Sequence, residues 1–287
     1  MQICFAGHLS IDVNVVKGVA HTTCGGGVFY GAIAAHRLGA RTTVYTKCAA
    51  ADQSKFAELA AAGVPVTFLP SATSTSIRND YPTDNPDDRT SHLISRGAPF
   101  SAADLEAIQA DVLHVNPLWR GEFPPDLLPL ARQRTEFLAA DAQGFLRRAA
   151  DDPGKSPTGD DKTMVYRDWD DKRRYLPLLD LFKVDAKEAR ILTGSDDPRA
   201  AARQLRALGA RTVLLTHQAG VLVHDGREFF EAPFAAYAIE GRTGRGDTCT
   251  AAFLVARATM PLAAATAFAA RVTSEKMQYR GPYRPAT

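Results

Sequence analysis

Gly244 and Gly246 flank Arg245 and lead directly into Asp247, in the segment Glu240-Gly241-Arg242-Thr243-Gly244-Arg245-Gly246-Asp247-Thr248-Cys249. Glycines let a backbone turn tightly and come close to a ligand. The apolar stretch that follows predicts a helix starting at Asp247 and running to Arg257. Its unpaired amides and positive dipole end would point into the turn. Such a turn suits an anion, above all a phosphoryl group gathering charge as it transfers. A carboxylate beside it is placed to take a proton. The same residues also fit a plainer arrangement, in which Asp247 only caps the helix and the glycines form a loop. The chain has no G-x-x-x-x-G-K-[ST] phosphate loop.

A second glycine cluster, Cys24-Gly25-Gly26-Gly27, opens an Ala-rich run. It is not a dinucleotide fingerprint: G-x-G-x-x-G from Gly25 and Gly27 needs glycine at position 30, which is Tyr30.

These turns need elements to hold them. Short apolar runs at 3–6, 42–47, 66–69, 112–115, 135–141, 178–184, 212–216 and 221–223 predict strands. Helical patterns at 27–38, 54–62, after Pro125, 186–192, 198–208, 247–257 and 263–270 alternate with them. Alternation of this kind predicts a mostly parallel sheet covered by helices on both faces, with ligands beyond the carboxyl ends of the strands. Residues 73–95 break the rhythm. Two β-prone segments surround a centre rich in Pro, Asn and Asp, the pattern of a hairpin or flap, or of a solvated loop. Residues 149–162 read as a surface loop or partly disordered insertion.

The 287 residues suffice for a core of normal size, and the composition, 45% hydrophobic and 23% charged, is ordinary for a globular chain. A net charge of +2 without runs of one sign argues against nucleic acid or an anionic membrane as partner. The four cysteines are widely spaced, which excludes paired-cysteine metal sites and a disulfide scaffold and predicts reduced thiols in a cytoplasmic setting. The N-terminus lacks a signal-peptide pattern, and no apolar run reaches the length of a membrane span.

Several segments, in order, resemble the ribokinase-like (PfkB) carbohydrate kinases. TGRGDTCTAAF is similar to the family's D-T-x-G-A-G-D signature, and CGGGVFYGAIAAHRLGA to its Gly-Gly signature. GHLSIDVNV resembles the first strand with its substrate-binding Asp, KVDAKEARILTG the N-x-x-E segment, and LLTHQAGVLVHDG the walls of the nucleotide pocket. The resemblance covers nearly the whole chain and implies one three-layer α/β/α domain, 1–287, with a small β lid around 73–95. It implies ATP and Mg²⁺ as cofactors, a small polyol or sugar as acceptor, and a monomer or a homodimer through the lid.

Carried over residue by residue, the resemblance makes Asp247 the catalytic base and the amides of Gly244, Arg245, Gly246 and Asp247 the anion hole. Glu188 and Asp185 would organise Mg²⁺ through water, Asp185 standing where the family commonly has Asn. Thr216, Gly220 and Thr243, with Gly244 and Gly246, would face the nucleotide. Asp12, Gly25, Gly26 and Gln143 would hold acceptor hydroxyls. Arg245 replaces the usual Ala, either to contact phosphate or to point to solvent. Gly241 replaces the first Asp of the signature, which leaves activation by K⁺ open. No pocket Asn stands near Tyr30, and the Cys24-Gly25-Gly26 start, Asp141-x-Gln143 and the short length together resemble the inositol-kinase branch. A nucleoside acceptor, or a binding protein without turnover, are the alternatives.

Overall fold

The computed structural model describes residues 1–83, 89–149, 163–235 and 240–285. Its larger sheet contains β1 (Gln2–Ala6), β4 (Arg41–Cys48), β5 (Val66–Pro70), β8 (Ala110–Val115) and β9 (Thr135–Asp141). It continues through β12 (Leu181–Asp185), β13 (Val213–Thr216), β14 (Gly220–His224) and β15 (Phe229–Pro233). The order is β15-β14-β13-β12-β9-β8-β1-β4-β5, parallel except for the β13–β14 and β14–β15 pairs. A four-stranded sheet runs β3-β2-β6-β7, from β2 (Ser10–Val16), β3 (Val19–Gly25), β6 (Ser76–Tyr81) and β7 (Thr90–Ser95). A short ribbon pairs β10 (Arg147–Ala149) with β11 (Met164–Tyr166).

Alternation along β1 shows why the large sheet is covered twice. Ile3 and Phe5 enter one core and Cys4 and Ala6 the other, all of them buried. A strand buried on both faces must be apolar throughout. One face carries α1 (Gly27–Arg37), α5 (Arg245–Ala256) and α6 (Leu262–Met277); the other carries α3 (Ala186–Thr193) and α4 (Pro198–Ala207). A single turn, α2 (Gln143–Leu146), follows β9. The result is the three-layer α/β/α arrangement the pattern predicted.

The segment 73–95 does contain a hairpin, β6 with β7, with a bulge between Ser76 and Ile77. It is only half of the smaller sheet. β2 and β3 form the other half, joined at Lys17 (φ 49) and Gly18 (φ 83), a tight turn without the usual Asn-Gly. Asp12 therefore lies in the small sheet rather than in the first strand of the large one. The proposed insertion at 149–162 lies outside the described residues, apart from Ala149 at the end of β10. Two helix boundaries also differ from expectation. α5 begins at Arg245, two residues early, because Gly244 (φ 78) supplies the left-handed turn before it. α6 extends to Met277 because Thr273, Ser274 and Lys276, polar in sequence, are buried.

Candidate active site

Four parallel strands deliver polar residues at or just past their carboxyl ends: Asn116 after β8, Asp141 on β9, Asp185 on β12 and Thr216 on β13. The N-terminus of α5 arrives at the same edge. Gly244 is indispensable to its geometry. A methyl there would meet the Tyr30 ring at 2.3 Å, and the φ of 78° already excludes most side chains. Arg245 donates its amide to the carbonyl of Arg242 at 3.1 Å, and Thr248 closes the first helical bond to Gly244. That leaves the amides of Gly246 and Asp247, within the first turn of α5, directed into the glycine turn. Asp247 is thus the third residue of the helix and not its cap.

The Asp247 side chain accepts from Asn116 Nδ2 at 3.2 Å. Burial raises its pKa and the nearby Asp141 adds to that, while the Lys183 ammonium and the Asn116 hydrogen bond pull it back. Beneath it lies Lys183, 2.8 Å from Asp141 and 3.9 Å from Glu188. Burial alone would lower the Lys183 ammonium. The carboxylates of Asp141, Glu188, Asp185 and Asp247 outweigh that and hold it well above the ordinary lysine value. His114, wholly buried on β8, is driven down to about 4 by burial and is neutral.

Glu188 lies in the first turn of α3, a helix of polar sequence, and is buried, 1% exposed. With Asp185 it forms a capping box: Asp185 N donates to Glu188 Oε2 at 2.7 Å and Glu188 N to Asp185 Oδ1 at 2.8 Å. One oxygen of each carboxylate is thereby engaged. Among the described residues no group of three ligating side chains converges on one point. Hard carboxylate oxygens in this partly engaged state fit Mg²⁺ held through its waters rather than directly.

Asp12 lies against Gly25. Gly25 allows this approach, since a methyl on it would sit 2.8 Å from Asp12 Oδ2. Gly26 (φ 103) turns the chain into α1 with the His8 carbonyl 2.5 Å from where its Cβ would be. Gly27 leaves room for the Asn116 side chain, which a methyl would overlap at 1.9 Å. Asp12 Oδ1 and Asn116 Oδ1 are both buried acceptors without a protein donor. Burial pushes Asp12 up to about 6, against the pull of Ser10 and of the buried Arg147. Burial raises the Tyr30 phenol, and the charges of Asp12 and Asp247 add to that. Gln143 opens α2, half-buried, where Gly144 packs on Pro117.

Thr216 and Gly220 bracket the turn from β13 to β14, closed by His217 N donating to Gly220 at 2.9 Å. Thr243 is exposed at the surface of the glycine turn. Arg245, half-buried, lies with its guanidinium 5.9 Å from the Phe234 ring and depresses the His217 pKa after burial and Glu231 have acted on it. Its side chain therefore turns toward the β13–β14 side. Asn116, Lys183 and His114 escaped the sequence reading. A lysine in the apolar run Leu181-Phe182-Lys183-Val184 was the one visible signal, since charge in a doubly buried strand demands a partner.

Comparison with known proteins follows the same lines. The family model described as pfkB family carbohydrate kinase matches residues 12–287. A cytidine kinase of Thermococcus kodakarensis is 26% identical over 267 residues, covering 88% of this chain and 87% of that protein. A pyrophosphate-dependent kinase of the ribokinase family, solved with a pyrophosphate analogue and myo-inositol, is 50% identical with a TM-score of 0.90, over 98% of this chain and 97% of the other. A pyrophosphate-dependent myo-inositol-1 kinase converted by mutation into a myo-inositol-3 kinase is 48% identical, TM-score 0.88, over 98% and 95%.

Proposed function

The chain belongs to the pfkB family of carbohydrate kinases, and from that premise we propose that it phosphorylates myo-inositol or a close cyclitol, with pyrophosphate as donor. The observation that carries the chemistry is Asp247 at the start of α5, bonded to Asn116 and adjoining the amides of Gly246 and Asp247.

A substrate hydroxyl between Asp12 and Asp247 attacks the terminal phosphorus while its proton passes to Asp247. Burial raises the carboxyl pKa and makes Asp247 a better base than a solvated aspartate. The amides of Gly246 and Asp247 and the positive end of α5 receive the charge that builds on the phosphoryl oxygens. Lys183 adds a buried cation below them. The leaving group is inorganic phosphate from pyrophosphate, or ADP from ATP. Asp185 and Glu188 would hold Mg²⁺ through water, and bound there it would neutralise charge between the phosphoryl groups. On the acceptor side, Asp12 Oδ1 takes a ring hydroxyl, joined by the amides of Gly25 and Gly26 and by Gln143. An unmatched buried acceptor costs about 1–3 kcal/mol, so an acceptor rich in hydroxyls is favoured. The sheet containing β6 and β7 covers this side as a lid that excludes water.

Likeness at 50% identity to a pyrophosphate-dependent enzyme supports the donor and the acceptor together. ATP is the second reading: the turn from Thr216 to Gly220 has the form of a nucleotide wall, and the cytidine kinase relative keeps a nucleoside acceptor in view. The test is a grid of pyrophosphate and ATP against myo-inositol, hexoses, ribose, adenosine and cytidine, followed by phosphorus NMR. Expected is transfer from pyrophosphate to myo-inositol with kcat/KM at least about tenfold above any other pair, the effect of one unmatched polar group. Preference for ATP or for a nucleoside would install the second reading. Tight donor binding without transfer to any acceptor would mark a binding protein.

A further inference from the structure

Lys276 is the penultimate residue of α6 and its side chain is entirely buried. A buried ammonium is costly, and its surroundings show what holds it. Nζ donates to the Gly241 carbonyl at 2.7 Å and stands 5.8 Å from the centre of the Tyr30 ring. Burial draws its pKa down to about 8, and the charge acting against that is Asp247. The contact is reciprocal. The amides of Glu240 and Gly241 both donate to the Met277 carbonyl, at 3.0 and 3.1 Å. Gly241 is pressed so close to this helix end that a methyl on it would meet the Tyr279 carbonyl at 2.0 Å. The Tyr30 ring that faces the ammonium is the same ring that backs Gly244. Lys276 thus contacts one end of the segment 241–244 directly and faces the ring that backs its other end, from which α5 and its directed amides begin.

A carbonyl oxygen and an aromatic face are groups that accept a weakly hydrated monovalent cation. Here a covalently attached ammonium occupies that environment. Resting on the reading that the turn at 244–247 receives the transferred phosphoryl, we infer that Lys276 is the positioning residue of that turn. Its ammonium fixes the 241–244 segment and supplies the local positive charge that a dissolved monovalent cation would otherwise bring. Phosphoryl transfer by this chain therefore proceeds without K⁺.

Two measurements test this, pyrophosphate binding by titration calorimetry and turnover, each in tetramethylammonium buffer with and without K⁺. The parent protein is expected to change less than about twofold on adding K⁺ in either assay. Lys276→Met, which fills the space without charge, is expected to lose on the order of 10- to 100-fold in pyrophosphate affinity and kcat, the loss of one buried charge-assisted bond. The acceptor KM stays within about twofold, because the turn and not the acceptor side is disturbed. Lys276→Ala leaves a cavity, and K⁺ or ammonium is expected to restore part of its activity, while Lys276→Met gains nothing. Strong activation of the parent by K⁺, or a folded Lys276→Met protein that binds pyrophosphate like the parent, overturns the inference. Should both variants fail to fold, the parent's response to K⁺ decides by itself. A parent that binds neither pyrophosphate nor ATP overturns the transfer reading beneath it.

Discussion

The ammonium of Lys183 lies directly under Gly246: a methyl placed on the glycine would meet Nζ at 3.0 Å and Cε at 3.1 Å. The two residues come from β12 and the first turn of α5. Their contact brings the positive helix end and a buried cation to the same spot. Two sources of positive potential, one from backbone dipoles and one from a side chain, then act on whatever anion enters the turn.

The two glycines of the turn should respond differently to alanine. In Gly246→Ala the methyl meets only the far end of the Lys183 side chain, at 3.0 and 3.1 Å, and no backbone or ring, so the fold survives and the melting temperature moves by a few degrees. Displacement of Lys183 and of the adjacent amide should lower kcat about tenfold or more. In Gly244→Ala the methyl meets the Tyr30 ring at 2.3 Å on a backbone at φ 78°, so stability itself should drop by about 1–3 kcal/mol. Thermal melts alongside kcat separate the two; equal destabilisation by both would refute the assigned contacts.

Asp247→Asn keeps the acceptor for Asn116 Nδ2 and removes the base. Its kcat should fall roughly 10²–10⁴-fold with donor affinity nearly unchanged. Turnover within a few-fold of the parent would remove Asp247 from the proton transfer.

The parallel sheet was legible because its strands are short, apolar and separated by helical patterns, and Gly244, Gly246 and Asp247 announced the turn by type and spacing. β2 and β3 were not, because β3 is almost wholly exposed and carries little apolar alternation, and Lys17-Gly18 is a weak turn signal. The burial of Glu188 was hidden for a different reason. Its helix α3 has a polar sequence, but the residue is consumed at the helix start by the exchange with Asp185, a pairing the polar pattern does not announce. Asn116 and Lys276 were invisible in principle: each matters only through a partner more than thirty residues away.

The capping box changes what a Glu188 substitution tests. Glu188→Ala removes the acceptor for the Asp185 amide and a carboxylate near Lys183, so about 1 kcal/mol or more of stability should go with it. Glu188→Gln retains the cap and removes the charge. If Glu188 helps to hold Mg²⁺ through water, the glutamine variant should need more Mg²⁺ for half-maximal rate while melting near the parent. An unchanged Mg²⁺ titration with Glu188→Gln would leave Glu188 with a capping role alone.

Asp12 carries a linked cost that pH should expose. Burial raises its pKa from 3.8 to about 6, so between those values the folded protein holds a proton that the unfolded chain has released. The folded state is therefore favoured most below about pH 4 by this group, and that contribution is lost as pH rises through about 6. The difference of about two units bounds the penalty above pH 6 at ~3 kcal/mol. Asp12→Asn removes the ionisation. Relative to the parent, the variant should gain stability at pH 7, with the gap between their melting curves closing as pH falls from 6 to 4. Acceptor binding should move the opposite way, with KM for the cyclitol rising about tenfold or more, because a charged acceptor for ring hydroxyls is gone. In the parent the same KM should climb below about pH 6 as Asp12 takes up its proton. Parallel melting curves across that window would show that Asp12 bears no burial penalty. A KM insensitive to both the substitution and pH would place the acceptor elsewhere.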